Sequence, residues 1–366
     1  MNADVLDTLI EKTIIPSFSS IGPRLRRRLY HWQDLASYSL EGRVIVLTGG
    51  TSGIGQAAAD LYAALGATLV LVARDPGKTQ QSIARLKAAS GNDRLHCVLG
   101  DLGKRQEVER IACELAEQFP VIDVLVHNAG ALYNERRRAP DGTDLSVELM
   151  VATPFLLTGR LLSQLGYRRP HPISPGAQRS SGSASTSEFL PTENDSAARQ
   201  RPPGRVLTMS SGGMYTQSLS VENLEMPDED YHGAQQYARA KRAQVVLNEL
   251  WADRIPASQI VFHALHPGWV ATPGIADALP GFSKALGPLG LLRTARDGAD
   301  TLVWLSADNQ AASSSGDFWH DRARRPIDIS SRTRSADTPA RRQALWEWCE
   351  QHTGWNFQDE IPDHVQ

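Results

Sequence analysis

From residue 43 onward, short, mostly apolar runs alternate with longer stretches in which apolar positions return every three or four residues. Short apolar runs mark strands buried on both faces, and the helical period marks amphipathic helices between them. The runs predict strands at Val44 to Thr48, Thr68 to Ala73, Leu95 to Leu99, Val121 to His127, Val206 to Ser210 and Ile260 to Leu265, with a short last one near Phe318. Helices are expected over Gln56 to Leu65, Gln80 to Ala89, Glu107 to Gln118, Leu145 to Leu165 and Tyr237 to Trp251. This alternation calls for parallel strands joined by crossover helices, so the expected class is α/β: a doubly wound parallel sheet of seven strands, helices on both faces, within residues 43–320.

The pattern fails in three places. Residues 168–203 are rich in Ser, Pro, Gly and Arg and read as a disordered surface insertion. Residues 1–42 form an extension expected to be partly helical. Its segment IGPRLRRRLYHW mixes four arginines with Leu25, Leu29, Tyr30 and Trp32. Such a stretch can lie on an anionic membrane surface, although a helix packed across the domain with a solvated basic face is the commoner case. Residues 321–366 carry an Arg-rich loop and then a helix candidate, QALWEWCEQHTGW, whose aromatics are expected to pack onto the domain.

Composition narrows the function. With 366 residues and 41% hydrophobic content the chain can bury one large core, and a net charge of -3 gives no reason to expect nucleic acid. Cys97, Cys113 and Cys349 match neither a metal nor a disulfide framework, and there is no long apolar run or secretory leader, so a reducing cytoplasm is expected. His263 and His266 flank a strand end with no carboxylate or cysteine at ligand spacing, so no metal is expected.

The chemistry starts at TGGTSGIG, residues 48–55, directly behind the first strand and ahead of a helix. Gly49, Gly53 and Gly55 let the backbone turn sharply and approach a pyrophosphate, while the helix aims its first amides at the phosphates. Farther along, Tyr237 and Lys241 are four apart and share one helix face. An ammonium beside a phenol would lower the phenol pKa toward working pH, allowing proton exchange with a carbonyl or alcohol.

These residues resemble the short-chain dehydrogenase/reductase superfamily across roughly residues 40 to 320. The wording of SSGGMY, YARAKRAQVVL and HPGWVATPGI is most similar to its family member 12 group, near the retinol dehydrogenase branch. The resemblance implies a Rossmann sheet of order 3-2-1-4-5-6-7 and a catalytic set of Ser211, Tyr237 and Lys241, with Ser210 the neighbouring rival. It further implies cofactor contacts at Gly49, Thr51, Ser52, Gly53, Ile54 and Gly55 and at Arg74, Asp101, Leu102, Asn128, Ala129 and Gly130. Pro267, Gly268, Val270 and Thr272 complete that set with Tyr237 and Lys241.

Arg74, ending the second strand, can fork onto a 2′-phosphate, whereas its neighbour Asp75 would favour a free ribose hydroxyl. NADP(H) is expected, with NAD(H) open. Two departures stand out. Met150 occupies the position at which relatives carry an asparagine that supports a water chain to the lysine, and a thioether cannot donate a hydrogen bond. The insertion at 168–203 could shield the helix relatives use for dimerisation, which leaves the oligomeric state open. The expected activity is interconversion of a carbonyl and an alcohol on a lipophilic small molecule, with the apolar segment GWVATPGIADALPGF as a lid. The alternative is a catalytically weak dinucleotide-binding sensor.

Overall fold

The computed structural model describes residues 3–168, 201–272, 274, 276 and 280–360. The expected disorder within 168–203 therefore falls almost wholly outside the described residues, as does part of the expected lid. A single sheet runs in the order β3-β2-β1-β4-β5-β6-β7-β8. Its strands are β1 (Val44–Thr48), β2 (Thr68–Ala73), β3 (Leu95–Leu99), β4 (Val124–His127), β5 (Gly204–Met209), β6 (Ile260–Leu265), β7 (Phe318–His320) and β8 (Ala323–Arg325). The first seven pair in parallel, in the order expected. The bounds of β1, β2, β3 and β6 are those read from their apolar runs.

The last strand was not anticipated. β8 folds back antiparallel on β7 through a tight turn in which Asp321 and Arg322 have φ of 52° and 56°, the geometry of a two-residue hairpin with both central residues left-handed. β4 begins three residues later than expected: Val121 is solvent-exposed, and the Asp123 carboxylate accepts the backbone N–H of Val44.

Helices cover both faces. On one, Gly53–Ala64 and Ala295–Ala307 pack on β1 and β5; on the other, Arg105–Gln118, Thr153–Arg160 and Gly233–Arg254 bury a second core around Leu125, Phe155 and Trp251. The helix expected over Leu145 to Leu165 is broken. A turn at Leu145–Val147 runs into a π-helical turn at Glu148–Ala152, then Thr153–Arg160 and Leu162–Leu165. The C-terminal helix, Pro339–Thr353, sets Trp346 edge-on to Phe155 and to Trp251, and Trp355 follows onto the same two rings. Trp355 lies so close to Gly159 that a Cβ there would come within 2.5 Å of the indole.

Candidate active site

The turn after β1 is built for close approach. Gly49 and Gly53 take φ of 69° and 54°, which only glycine adopts freely. A Cβ on Gly55 would stand 2.1 Å from the Gly49 carbonyl oxygen and 2.5 Å from Nδ2 of Asn128. Asn128 fastens the turn from the next strand: its Nδ2 donates to the carbonyls of Thr48 (3.0 Å) and Gly49 (3.1 Å). Thr48 Oγ1 accepts the backbone N–H groups of Asn128 and Ala129. The helix Gly53–Ala64 starts after Ser52 with no side-chain cap and no acidic residue in its first turn, so its leading amides are left for an anion. Thr51 and Ile54 are half-buried on this turn, and Ser52 is exposed. A dinucleotide pyrophosphate fits these residues.

At the end of β2, Arg74 and Asp75 diverge. The Asp75 carboxylate caps the following helix by accepting the backbone N–H of Lys78 at 3.0 Å, so it is committed to the fold. Arg74 is exposed and makes no ion pair among the described residues. After β3, Asp101 accepts the N–H of Gly103 at 3.0 Å, and the Leu102 carbonyl accepts the hydroxyl of Thr153 at 2.6 Å.

After β5 the two serines part company. Ser210 is buried and its hydroxyl donates to the backbone carbonyl of Lys241 at 3.2 Å, facing into the packed helix. Ser211 is half-buried, its Oγ accepts the backbone N–H of Gly213 at 3.2 Å, and its hydroxyl is near enough to the Tyr237 phenol to lower that group's pKa. Tyr237 and Lys241 project from Gly233–Arg254, with Nζ of Lys241 5.4 Å from the Tyr237 ring centroid. The expected lowering of the phenol pKa is not seen. Burial pushes Tyr237 up to about 12, opposed only by the Ser211 hydrogen bond, and burial pulls Lys241 down to about 7. Desolvation of the charged form is the cause in both, and the ammonium donates to the Met209 carbonyl (2.7 Å) and Oε1 of Gln244 (2.9 Å).

The turn after β6 closes the site. Gly268 has φ of 77°, and a Cβ there would come 2.3 Å from Nε of Arg293, whose Nη1 donates to the Pro267 carbonyl at 3.1 Å. Val270 is buried and bridges Arg293, while the Thr272 methyl lies 3.4 Å from where a Gly53 Cβ would be. The N-terminal extension reaches the same place. The Phe18 ring lies against Gly212, where a Cβ would approach it to 2.2 Å, and the Phe18 carbonyl accepts the N–H of Trp269 at 2.7 Å.

Residues 43–168 match the family described as short chain dehydrogenase. The chain is 33% identical to human dehydrogenase/reductase SDR family member 12 over 324 residues, 87% of this chain and 90% of that protein. It belongs to the short-chain dehydrogenase/reductase family. The chain is accordingly an NAD(P)-dependent oxidoreductase acting on the alcohol–carbonyl pair. It is also 22% identical to mouse retinol dehydrogenase 11, over 82% of this chain and 84% of that one. Among solved structures, L-sorbose reductase from Gluconobacter frateurii, complexed with NADPH and L-sorbose, superposes with a TM-score of 0.54 at 22% identity. It covers 77% of this chain and 95% of its own, a likeness of fold.

Within this dehydrogenase/reductase, Met150 lies beside Gly130 and near Lys241. It is fully buried in the π-helical turn, and a Cβ on Gly130 would come 3.1 Å from its sulfur and 3.5 Å from Nζ of Lys241. A polar residue escaped the sequence reading: Gln244, three positions after Lys241 and so on the same helix face, a spacing that could have disclosed it. Its Nε2 and Oδ1 of Asn248 have no hydrogen-bond partner among the described residues. Both residues line a cavity of about 20 Å³ with His127, Thr158 and Thr208, room for one water molecule. The side-chain acceptor for the lysine therefore comes from its own helix, and the backbone one from β5.

Proposed function

We propose that this chain is an NADP(H)-preferring reductase of lipophilic aldehydes or ketones, with residues 43–320 as the catalytic domain. The observation that carries the reading is the convergence of the Ser211 hydroxyl, the Tyr237 phenol and the Lys241 ammonium beside a glycine turn able to take a pyrophosphate. The bound nucleotide supplies the hydride. Ser211 holds the substrate oxygen through a hydrogen bond that strengthens as negative charge develops there, and Tyr237 delivers the proton. A phenol pushed up to about 12 holds its proton at neutral pH, which favours the reducing direction. Lys241 in its charged form steadies the phenolate left behind. A relative named for retinol supports a lipophilic substrate.

The test is oxidation of NADPH and NADH by the purified protein across a panel of lipophilic aldehydes and ketones, with Tyr237→Phe as control. Tight NADPH binding with no turnover on any substrate would sink the reductase reading and favour a dinucleotide sensor, which the thioether beside Lys241 supports.

Cofactor preference rests on Arg74, because Asp75 is occupied as a helix cap. Charge-assisted hydrogen bonds contribute about 1.5–3 kcal/mol, so Arg74→Ala is expected to raise KM for NADPH roughly tenfold to a hundredfold. KM for NADH should barely move. Equal losses with both nucleotides would refute the assignment.

Gln244 sets the working pH. With Lys241 near 7, carbonyl reduction should fall as pH rises through that value and the ammonium is lost. Gln244→Leu removes an acceptor that favours the charged form, so the lysine pKa drops further, and the falling limb of kcat/KM should move down by about one pH unit. An unshifted limb would mean that Gln244 only fills space.

A further inference from the structure

The N-terminal extension is partly inverted: it buries an ion-paired cluster and, besides the inward-facing Ile10 and Phe18, leaves six aliphatic side chains in water. Its three helices are Ala3–Lys12, Ile14–Phe18 and Ile21–Leu29. Arg26 is wholly buried and bonds at 2.6 Å to each of Asp7, Glu11 and Asp321. Asp7 and Glu11 are one turn apart and face inward, whereas Val5 and Leu9, also one turn apart, face solvent. On the third helix Gly22 and Arg26 face inward while Ile21 and Leu25 face outward. With Ile14 and Ile15 these side chains are between 37% and 61% exposed. Seven of the ten exposed large hydrophobic side chains among the described residues lie within the first thirty positions.

Such an inversion leaves apolar area in water with nothing gained for the fold, so it points to an external partner. The charge around it identifies the partner's chemistry. Arg24 and Arg28 project among these aliphatics without an ion-pair partner in the described residues, and the third helix carries no acidic residue. Exposed aliphatics interleaved with uncompensated guanidinium groups suit the headgroup region of an anionic bilayer, where the apolar side chains enter the acyl boundary and the arginines meet phosphates. No helix among the described residues is long and apolar enough to cross a membrane. We infer that the three N-terminal helices form an interfacial platform that docks this protein on an anionic phospholipid surface. The same platform touches the active-site loop through Phe18 and Gly212, so docking brings the bilayer to the neighbourhood of the site.

The test uses the full chain and co-flotation with phosphatidylcholine vesicles, with and without a quarter phosphatidylglycerol. Wild-type protein is expected to float with the anionic vesicles and to be released by high salt. Each exposed arginine near an anionic surface contributes about fivefold to binding, so Arg24→Gln with Arg28→Gln should weaken it roughly thirtyfold. Ile14→Ser with Ile15→Ser should weaken it at least about tenfold. Both pairs are solvent-facing, and an unchanged thermal midpoint shows that the fold survives. Wild type that stays behind from anionic vesicles overturns the inference, as do variants that float like wild type. A dimer dissolved by Ile14→Ser with Ile15→Ser would assign the face to a second copy and likewise overturn it. None of these readouts depends on turnover, so the docking surface and the proposed activity fail separately.

Discussion

Tyr237→Phe is expected to lower kcat for carbonyl reduction about a thousandfold, the midrange effect of removing a general acid, while changing NADPH affinity by no more than about twofold. The reasoning rests on position and protonation. The phenol shares the site with the Ser211 hydroxyl and the Lys241 ammonium, and burial keeps it protonated to about pH 12. Phenylalanine keeps the ring and its packing and removes only the proton and its oxygen. Under the proposed reading cofactor affinity rests mainly on the glycine turn and Arg74, so it should hold. Steady-state kinetics and NADPH fluorescence titration on the same preparation separate the two quantities. A variant that retains more than a tenth of wild-type kcat would remove Tyr237 from the chemistry.

The largest effect on stability is expected at Asp321. Its carboxylate takes Arg26 and Arg293 at 2.6 Å each, and Arg293 also donates to the Ser17 carbonyl, so one buried group ties the N-terminal helices to the β7–β8 hairpin. Burial alone would raise its pKa. His320 when it is protonated, with Arg293 and Arg26, instead holds it far below the usual carboxylate range. Asp321→Asn keeps the shape and the tolerance of a left-handed turn but leaves the buried Arg293 guanidinium without its carboxylate and takes one of three from Arg26, which costs about 3–5 kcal/mol. Urea unfolding should show the midpoint falling with an unchanged slope; a shift worth less than about 1 kcal/mol would show that Asp7 and Glu11 suffice.

The same region makes the fold acid-sensitive. His127 is held down to about 3 by burial, and burial likewise lowers His263, His266 and His320. Each of these four binds a proton in the unfolded chain below its usual value near 6.5 but resists one when folded. Stability is therefore full above about pH 6.5 and is lost as pH falls below it, by up to about 1.4 kcal/mol per pH unit for each histidine. Asp321 and Glu11, whose folded pKa values are depressed, add a further loss below about pH 4. His266 and His320 stack at 3.8 Å beside Arg293, so a proton on either meets like charge.

Much of the frame was legible in the sequence because parallel strands buried on both faces write themselves as short apolar runs. β1, β2, β3 and β6 follow those runs to the residue. Tyr237 and Lys241 were legible because helix spacing forces them onto one face. The π-helical turn was not: one added residue leaves the apolar pattern of 145–165 intact and changes only the hydrogen bonding. Nor was the fate of Asp75, since a strand-end carboxylate reads equally as a ribose contact or a helix cap. The N-terminal inversion was hidden for a different reason. Periodicity separates two faces of a helix without saying which is inward, and the group that decides it, Asp321, lies 295 positions beyond Arg26.

The aromatic layer formed by Trp346 and Trp355 on Phe155, Gly159 and Trp251 covers the outer side of two sheet-flanking helices with the chain's own C-terminal segment. A cover on the same chain has a fixed effective concentration set by its tether. The burial it provides does not dilute away, as it would if a separate molecule supplied it.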